Sequence, residues 1–204
     1  MIGIIDYGSG NVKAIANIYK RLNMEYFVTN EPNALEKASH LVLPGVGAFD
    51  QTMNLLNESG LREKLDELVL EKKVPIIGIC VGMQIMAQSS EEGKEMGLGW
   101  IQGNVRRINE VQLERKPKLP HMGWNNVTIT RDNGILANTN LNKGFYFLHS
   151  YFVKPEHGED VLATVNYGSE LTCVVKKNNI VGIQFHPEKS HQNGVEVFKN
   201  FASL

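Results

Sequence analysis

The sequence predicts an α/β fold: a mostly parallel open sheet flanked by helices, with additional antiparallel strands in the C-terminal half. Two observations carry this expectation. Short apolar runs alternate with amphipathic stretches through residues 1–90, the pattern of βαβ units. Beyond residue 100 the pattern changes to short runs rich in Val, Ile, Thr, Phe and Tyr, separated by Gly or Asn turns. That half reads as more antiparallel. No repeat or linker interrupts the 204 residues, so 1–204 is read as one domain.

The elements follow in order. Residues 2–6 form a buried strand that runs into the Gly8-Ser9-Gly10 turn. Val12, Ile15, Ala16, Tyr19 and Leu22 recur at helical spacing and predict an amphipathic helix. Residues 25–29 are a second strand, 33–38 a short helix, and 40–43 a third strand that stops at Pro44-Gly45. Leu61, Leu65, Leu68 and Val69 place a helix over about 60–73. Residues 75–79 are the fourth strand, and 81–88 a short helix after it. Later strands are expected at about 103–108, 125–130, 145–149, 161–165, 172–177 and 180–186. Turns are expected at Asp132-Asn133-Gly134 and Lys177-Asn178-Asn179. Val195, Phe198 and Phe201 mark a last helix over about 191–202.

Composition narrows the function. Twenty-one Lys+Arg against 22 Asp+Glu give a formal charge of −1, unlike the basic face of a nucleic-acid protein. A hydrophobic share of 42% and a charged share of 21% argue against disorder. No run approaches the roughly 18 to 20 apolar residues of a membrane span, and Met1–Asp6 does not read as a signal peptide. Cys80 and Cys173 make no C-x-x-C, so a cytoplasmic protein with free thiols is expected. The six histidines make no H-x-x-x-H pair, so no metal is expected. Gly8-Ser9-Gly10-Asn11-Val12-Lys13 begins like a dinucleotide fingerprint, but Lys13 stands in the third glycine's place. Glu114-Arg115-Lys116-Pro117-Lys118 reads as a solvated loop.

Three segments could carry chemistry. In Gly78-Ile79-Cys80-Val81-Gly82 a strand ends at a thiol with glycines two residues to either side, and a helix follows. This is the spacing of a nucleophile elbow. A Cβ at either glycine would strike neighbouring chain, and the helix N-terminus favours thiolate. The pentapeptide alone would equally suit a buried structural cysteine. His186 and Glu188 lie two apart at the end of an apolar strand, on one side of extended chain. The imidazole can take the thiol proton while the carboxylate orients it. An isolated H-x-E is usually a surface histidine beside an unrelated acid, but parallel sheets place sites at the carboxyl ends of their strands. The Pro44-Gly45-Val46-Gly47 turn after the third strand could present backbone N–H groups to an oxyanion, or be a plain loop. Cys173 lies in an alternating strand and reads as core, and His121, His149 and His191 read as structural or interface residues.

Pro44-Gly45-Val46-Gly47, Gly78-Ile79-Cys80-Val81-Gly82-Met83-Gln84 and Phe185-His186-Pro187-Glu188-Lys189-Ser190, in this order, resemble the class I glutamine amidotransferases. A narrower resemblance rests on Asp6-Tyr7-Gly8-x-Gly10-Asn11, Pro120-His121-Met122-Gly123-Trp124-Asn125 and Phe147-x-His149-Ser150-Tyr151. It points to the glutaminase subunits that serve a (β/α)8-barrel cyclase in histidine biosynthesis. The resemblance implies no cofactor, glutamine as substrate, and the cyclase as heterodimer partner. It implies Cys80 as nucleophile, His186 as base and then acid, and Glu188 as its orienting group. Val81 with the Val46 or Gly47 peptide would form the oxyanion hole. Gln84 and Glu92 would hold the glutamine head group, helped by the Ser150 and Tyr151 backbone. Asn11, Trp124, Tyr146 and Lys189 would face the cyclase. Ammonia would cross into the barrel and yield imidazole glycerol phosphate and an aminoimidazole carboxamide ribonucleotide. Similar proteins in bacterial surface-sugar pathways would carry the same catalytic residues. A non-catalytic regulatory role is a further alternative, and Ser9 departs from the Met or Pro common at that place.

Overall fold

The computed structural model describes residues 1–113, 118–131 and 134–204. The loop expectation at 114–117 and the 132–133 half of one turn lie outside the described residues. The parallel half is built from β1 (Ile2–Ile5), β2 (Tyr26–Thr29), β3 (His40–Gly45) and β4 (Ile76–Cys80). β1 and β4 are buried at every position, as expected for strands covered on both faces. Later strands are β5 (Ser89–Ser90), β6 (Gly103–Arg107), β7 (His121–Asn125), β8 (Val127–Ile129), β9 (Phe145–His149) and β10 (Tyr151–Pro155). β11 (Val161–Asn166), β12 (Glu170–Lys177) and β13 (Ile180–Ile183) complete the set.

Among the described residues, eight strands form one sheet in the order β2-β1-β3-β4-β13-β12-β11-β8. β13 pairs parallel with β4, and from β12 outward the pairing is antiparallel. The sheet is thus mixed as the sequence predicts, with the parallel-to-antiparallel change at the strand that leads to His186. β10, β6 and β5 form a small second sheet, and β7 and β9 an antiparallel ribbon.

The helices are α1 (Val12–Arg21), α2 (Phe49–Glu58), α3 (Arg62–Asp66), α4 (Val81–Gln84) and α5 (His191–Phe201). Asn11 caps α1 by accepting the Ala14 N–H, and Lys20 and Arg21 lie at its negative end. β5, β7 and β10 are strands that the sequence expectation did not include, and three helical stretches depart from it. α2 was not anticipated; it starts directly out of the glycine turn and buries Phe49, Met53 and Leu56. The helix expected over 60–73 is α3 followed by one π turn at Glu67–Glu71. There the Asn179 amide takes the Val69 and Val74 carbonyls at 2.9 Å. The helix expected over 81–88 stops at Gln84, because the carbonyls of Ile85, Met86 and Ala87 accept N–H groups of Leu98, Ile101 and Gly99.

Candidate active site

β4 ends at Cys80, whose φ of 54° lies in the left-handed region, and α4 begins at the next residue. A non-glycine residue held there costs on the order of 1–3 kcal/mol, so the surrounding packing must enforce it. That packing is the close approach of β3, β4 and α4. A Cβ on Gly78 would stand 2.6 Å from the Gly82 carbonyl oxygen, and one on Gly82 would overlap the Leu43 carbonyl. The glycines at −2 and +2 are therefore required by backbone approach.

His186 follows β13, the neighbour of β4. Its N–H donates to the Tyr146 carbonyl at 2.8 Å, and Ser190 Oγ donates to its carbonyl at 2.6 Å. The ring is thus fixed from both sides of its backbone. Nδ1 donates to Glu188 Oε1 at 2.9 Å, and the ring shares the lining of one cleft with Cys80. Burial acts to lower the imidazolium pKa. The hydrogen bonds and charges of Cys80 and Glu188 outweigh that and raise it to about 10. The base therefore holds a proton at neutral pH, facing a sulfur nucleophile, ready to give it to a leaving amine.

Cys80 and His186 open on a cleft of about 320 Å³ lined by Val46, Gly47, Val81, Gln84, Glu92, Ser150, Tyr151 and Lys189 among others. The residues expected to form the oxyanion hole and hold the substrate meet there with Cys80 and His186, while Glu188, Asn11, Trp124 and Tyr146 lie outside the lining. Glu188 stands behind His186, with its side chain 2% exposed. Gln84 donates to the Tyr151 carbonyl at 3.0 Å and to Gln184 Oε1 at 3.1 Å. Both amide hydrogens are then committed, and Oε1 is the Gln84 atom left to meet a ligand. Glu92 Oε2 accepts the Phe49 N–H at 2.8 Å, so one of its oxygens caps α2. The Ser150 and Tyr151 carbonyls are occupied, by Ile108 N–H and by His149 and Gln84 respectively. The Val46 N–H donates to Ser9 Oγ at 3.0 Å, and Ser9 Oγ donates to the Val46 carbonyl at 3.1 Å.

Of the expected partner-facing residues, Trp124, Tyr146 and Lys189 form one patch. The Trp124 and Tyr146 ring centroids are 6.3 Å apart, and Lys189 Nζ is 5.6 Å from the Tyr146 centroid. Asn11 is outside the cleft lining and its side chain caps α1. Met122 and Leu148, opposite each other in the β7–β9 ribbon, are also exposed on it and were not singled out from the sequence. Their period-2 spacing from Trp124 and Tyr146 is the signal that would have found them. Ser9 and Gln184 were missed as well. Their roles depend on what the fold brings beside them. Cys173 is fully buried, and burial pushes its thiol well above the ordinary range. Among the described residues no His, Cys, Asp or Glu group is placed to hold a metal ion, and no helix is long and apolar enough to cross a membrane.

The family model for class-I glutamine amidotransferases matches residues 3–203. The chain belongs to the class I glutamine amidotransferases. This amidotransferase is 52% identical to imidazole glycerol phosphate synthase subunit HisH of Leptospira interrogans, over the whole of both chains. It is 47% identical to the protein of the same name from Bdellovibrio bacteriovorus, again over both whole chains. Among solved structures it resembles a glutamine amidotransferase with a TM-score of 0.74 at 18% identity, covering 99% of this chain and 97% of that one. The PurLQS structure from Thermotoga maritima gives a TM-score of 0.70 at 17% identity, covering 99% and 97%. At those identities the likeness concerns the fold of the amidotransferase alone.

Proposed function

We propose that the chain, as one glutaminase domain over 1–204, is the cytoplasmic glutaminase subunit of an imidazole glycerol phosphate synthase in histidine biosynthesis. The observation that carries the chemistry is the set Cys80, His186 and Glu188, a cysteine on a strained elbow that shares a cleft with an imidazolium held by a buried carboxylate. It supports a catalytic role over a regulatory one. The full-length identity to the named relatives supports the histidine pathway over a sugar acceptor.

In this reading the Cys80 proton has passed to His186, and Sγ attacks the carbon of the glutamine side-chain amide as the thiolate. The oxyanion meets the Val81 N–H at the start of α4, joined by the Val46 or Gly47 peptide. His186 gives its proton to the departing ammonia, and a thioester remains on Cys80. His186, now neutral, takes a proton from water as the water attacks; the C–S bond breaks, glutamate leaves with its new carboxyl proton lost to solvent, and Cys80 returns as thiolate beside the protonated His186. Gln84 and Glu92 hold the head group beside Ser150 and Tyr151. Ammonia passes to a (β/α)8-barrel cyclase docked over Trp124, Tyr146, Lys189 and Asn11. No cofactor takes part.

Because the Val46 N–H is committed to Ser9, the loop needs to turn before Val46 can donate. One oxyanion donor is worth on the order of 10²–10³ in rate. The isolated chain is therefore expected to hydrolyse glutamine slowly, and on the order of 10²-fold faster with the cyclase and its ribonucleotide. Glutamate release with and without the partner measures this, and fast hydrolysis unchanged by the cyclase would overturn it. Ser9→Ala removes both hydroxyl bonds to Val46. At about 1 kcal/mol for each net hydrogen bond, the two together are expected to raise partner-free hydrolysis roughly thirtyfold. A basal rate that stays level or falls in that variant would show that Ser9 does not restrain the loop.

A further inference from the structure

Beside the cleft, with His149 on its lining, lies a pair of histidines that the proposed chemistry does not use. His121 on β7 and His149 on β9 are register partners and nearly fully buried, at 3% and 6% exposure. His121 is sandwiched between the rings of Phe147 and Tyr167, with centroids 4.7 and 4.1 Å away. The hydrogen atoms of the pair can be placed by chemistry. His149 Nδ1 stands 2.8 Å from the Tyr151 carbonyl, which can only accept, so Nδ1 carries hydrogen. Burial pushes the His149 pKa down to about 4, and the His186 charge adds to this against the Tyr151 bond. The ring is neutral and its Nε2 is bare. His121 Nδ1, 2.9 Å away, must therefore be the donor to it. His121 Nε2 in turn lies 3.3 Å from the Asn125 amide nitrogen. That amide is fixed, since its oxygen accepts Asn126 N–H and its nitrogen donates to the Asn166 carbonyl.

The Tyr151 carbonyl is the meeting point. It accepts from His149 on one side and from Gln84 on the other, which uses both of its lone pairs. Gln84 passes its second hydrogen to Gln184 Oε1, and Gln184 Nε2 stands 3.7 Å from Cys80 Sγ. A continuous run of polar contacts thus joins Asn125 to the nucleophile. The opposite face of the β7–β9 ribbon is the exposed one, with Met122, Trp124 and Leu148.

We propose that His121 and His149 are a positioning pair for the glutaminase reaction. They tie the place of the β7–β9 ribbon to the orientation of the Tyr151 carbonyl and, through Gln84 and Gln184, to Cys80. The proposal rests on the glutaminase reading above. A hydrogen-bonded element shared by a surface and a site transmits displacement where its parts are packed and hydrogen-bonded. Aromatic stacking on both faces of His121 and a doubly bonded carbonyl meet that condition.

Two substitutions separate positioning from packing. His121→Phe keeps the stack between Phe147 and Tyr167 and removes the donor to His149. His121→Asn gives up the stack and keeps an N–H donor close to the place of Nδ1. Glutamine hydrolysis is measured in the complex with the cyclase, and Tm is recorded for each chain. Alkylation of Cys80 by iodoacetamide is followed on the isolated chain, where the other cysteine, Cys173, is fully buried. The expected result is a kcat about tenfold lower in His121→Phe, with KM within about twofold, slower alkylation and the smaller loss of Tm. His121→Asn is expected to recover kcat and alkylation while losing more Tm. Wild-type kcat and alkylation in His121→Phe would overturn the proposal, as would losses that follow Tm across both variants. Should His121→Phe not fold, the same comparison is made with His149→Phe and His149→Asn, where Asn keeps the donor to Tyr151. A wild-type complex that does not hydrolyse glutamine would defeat the functional reading instead, and the alkylation comparison would still judge the pair.

Discussion

Cys80→Ala is expected to lower glutamine-dependent synthesis by the complex at least about 10⁴-fold, the scale on which nucleophile deletions act in triad enzymes. Among the described residues the other cysteine cannot replace the sulfur. Cys173 is fully buried in β12, with its thiol held protonated by burial. The side chain hydrogen-bonded to Cys80 Sγ, Gln184, is an amide and no nucleophile. Ammonia-dependent synthesis should be unchanged, because the cyclase performs that step. The variant should also bind the cyclase as wild type does, since Cys80 is 4% exposed and lies on none of the outer ribbon face. The decisive comparison is product formed from glutamine against product formed from ammonium salt in one preparation. Glutamine-dependent product within tenfold of wild type would remove Cys80 from the reaction.

How far the site was legible in the sequence follows from what each residue depends on. The elbow could be read because its cause is local. A thiol at a strand end with glycines at −2 and +2 has few uses other than a tight turn, and the fold uses those glycines as expected. His186 and Glu188 were legible for the same reason, since two residues of extended chain suffice to bring ring and carboxylate to 2.9 Å. Ser9 was not. Its hydroxyl matters only because β1 lies beside β3 and brings the Gly8–Gly10 turn against Val46, 37 positions away. Gln184 was not, because it directly follows an apolar strand and accepts from Gln84 a hundred positions earlier. α2 escaped because its first residue abuts a glycine turn, and its N-terminus is completed from outside by Glu92 rather than by a local cap. The end of α4 escaped because three carbonyls of the expected helix are claimed by the 98–101 segment. In each case a long-range partner overrode a local pattern.

The elbow also sets the second large expectation, which concerns stability and rate together. Gly82→Ala places a Cβ against the Leu43 carbonyl, with the Leu43 and Pro44 carbonyl carbons at 3.0 and 3.1 Å. These are main-chain atoms of a buried strand at the middle of the sheet, so no rotamer change relieves the contact. Gly45 on β3 faces the same junction, where a Cβ would strike Gly82 N. The relief available is for α4 to move away from β3, and Cys80 is its first flanking residue. Overpacking of this kind costs about 3 kcal/mol, which for a chain of this size lowers Tm by roughly 6 to 12 °C. A shift of about 1 Å at the nucleophile costs on the order of 10² in rate, so kcat should fall together with Tm. Gly158→Ala is the control: nothing lies within 4 Å of its added Cβ. Its effect should stay within about 0.5 kcal/mol. Thermal denaturation and glutamate release on the two variants decide the matter. A Gly82→Ala chain with wild-type Tm would show that α4 and β3 are not in obligatory contact. One that loses Tm but keeps kcat would show that the helix moves without carrying Cys80, and the strained φ of Cys80 would then be fixed by β4 alone.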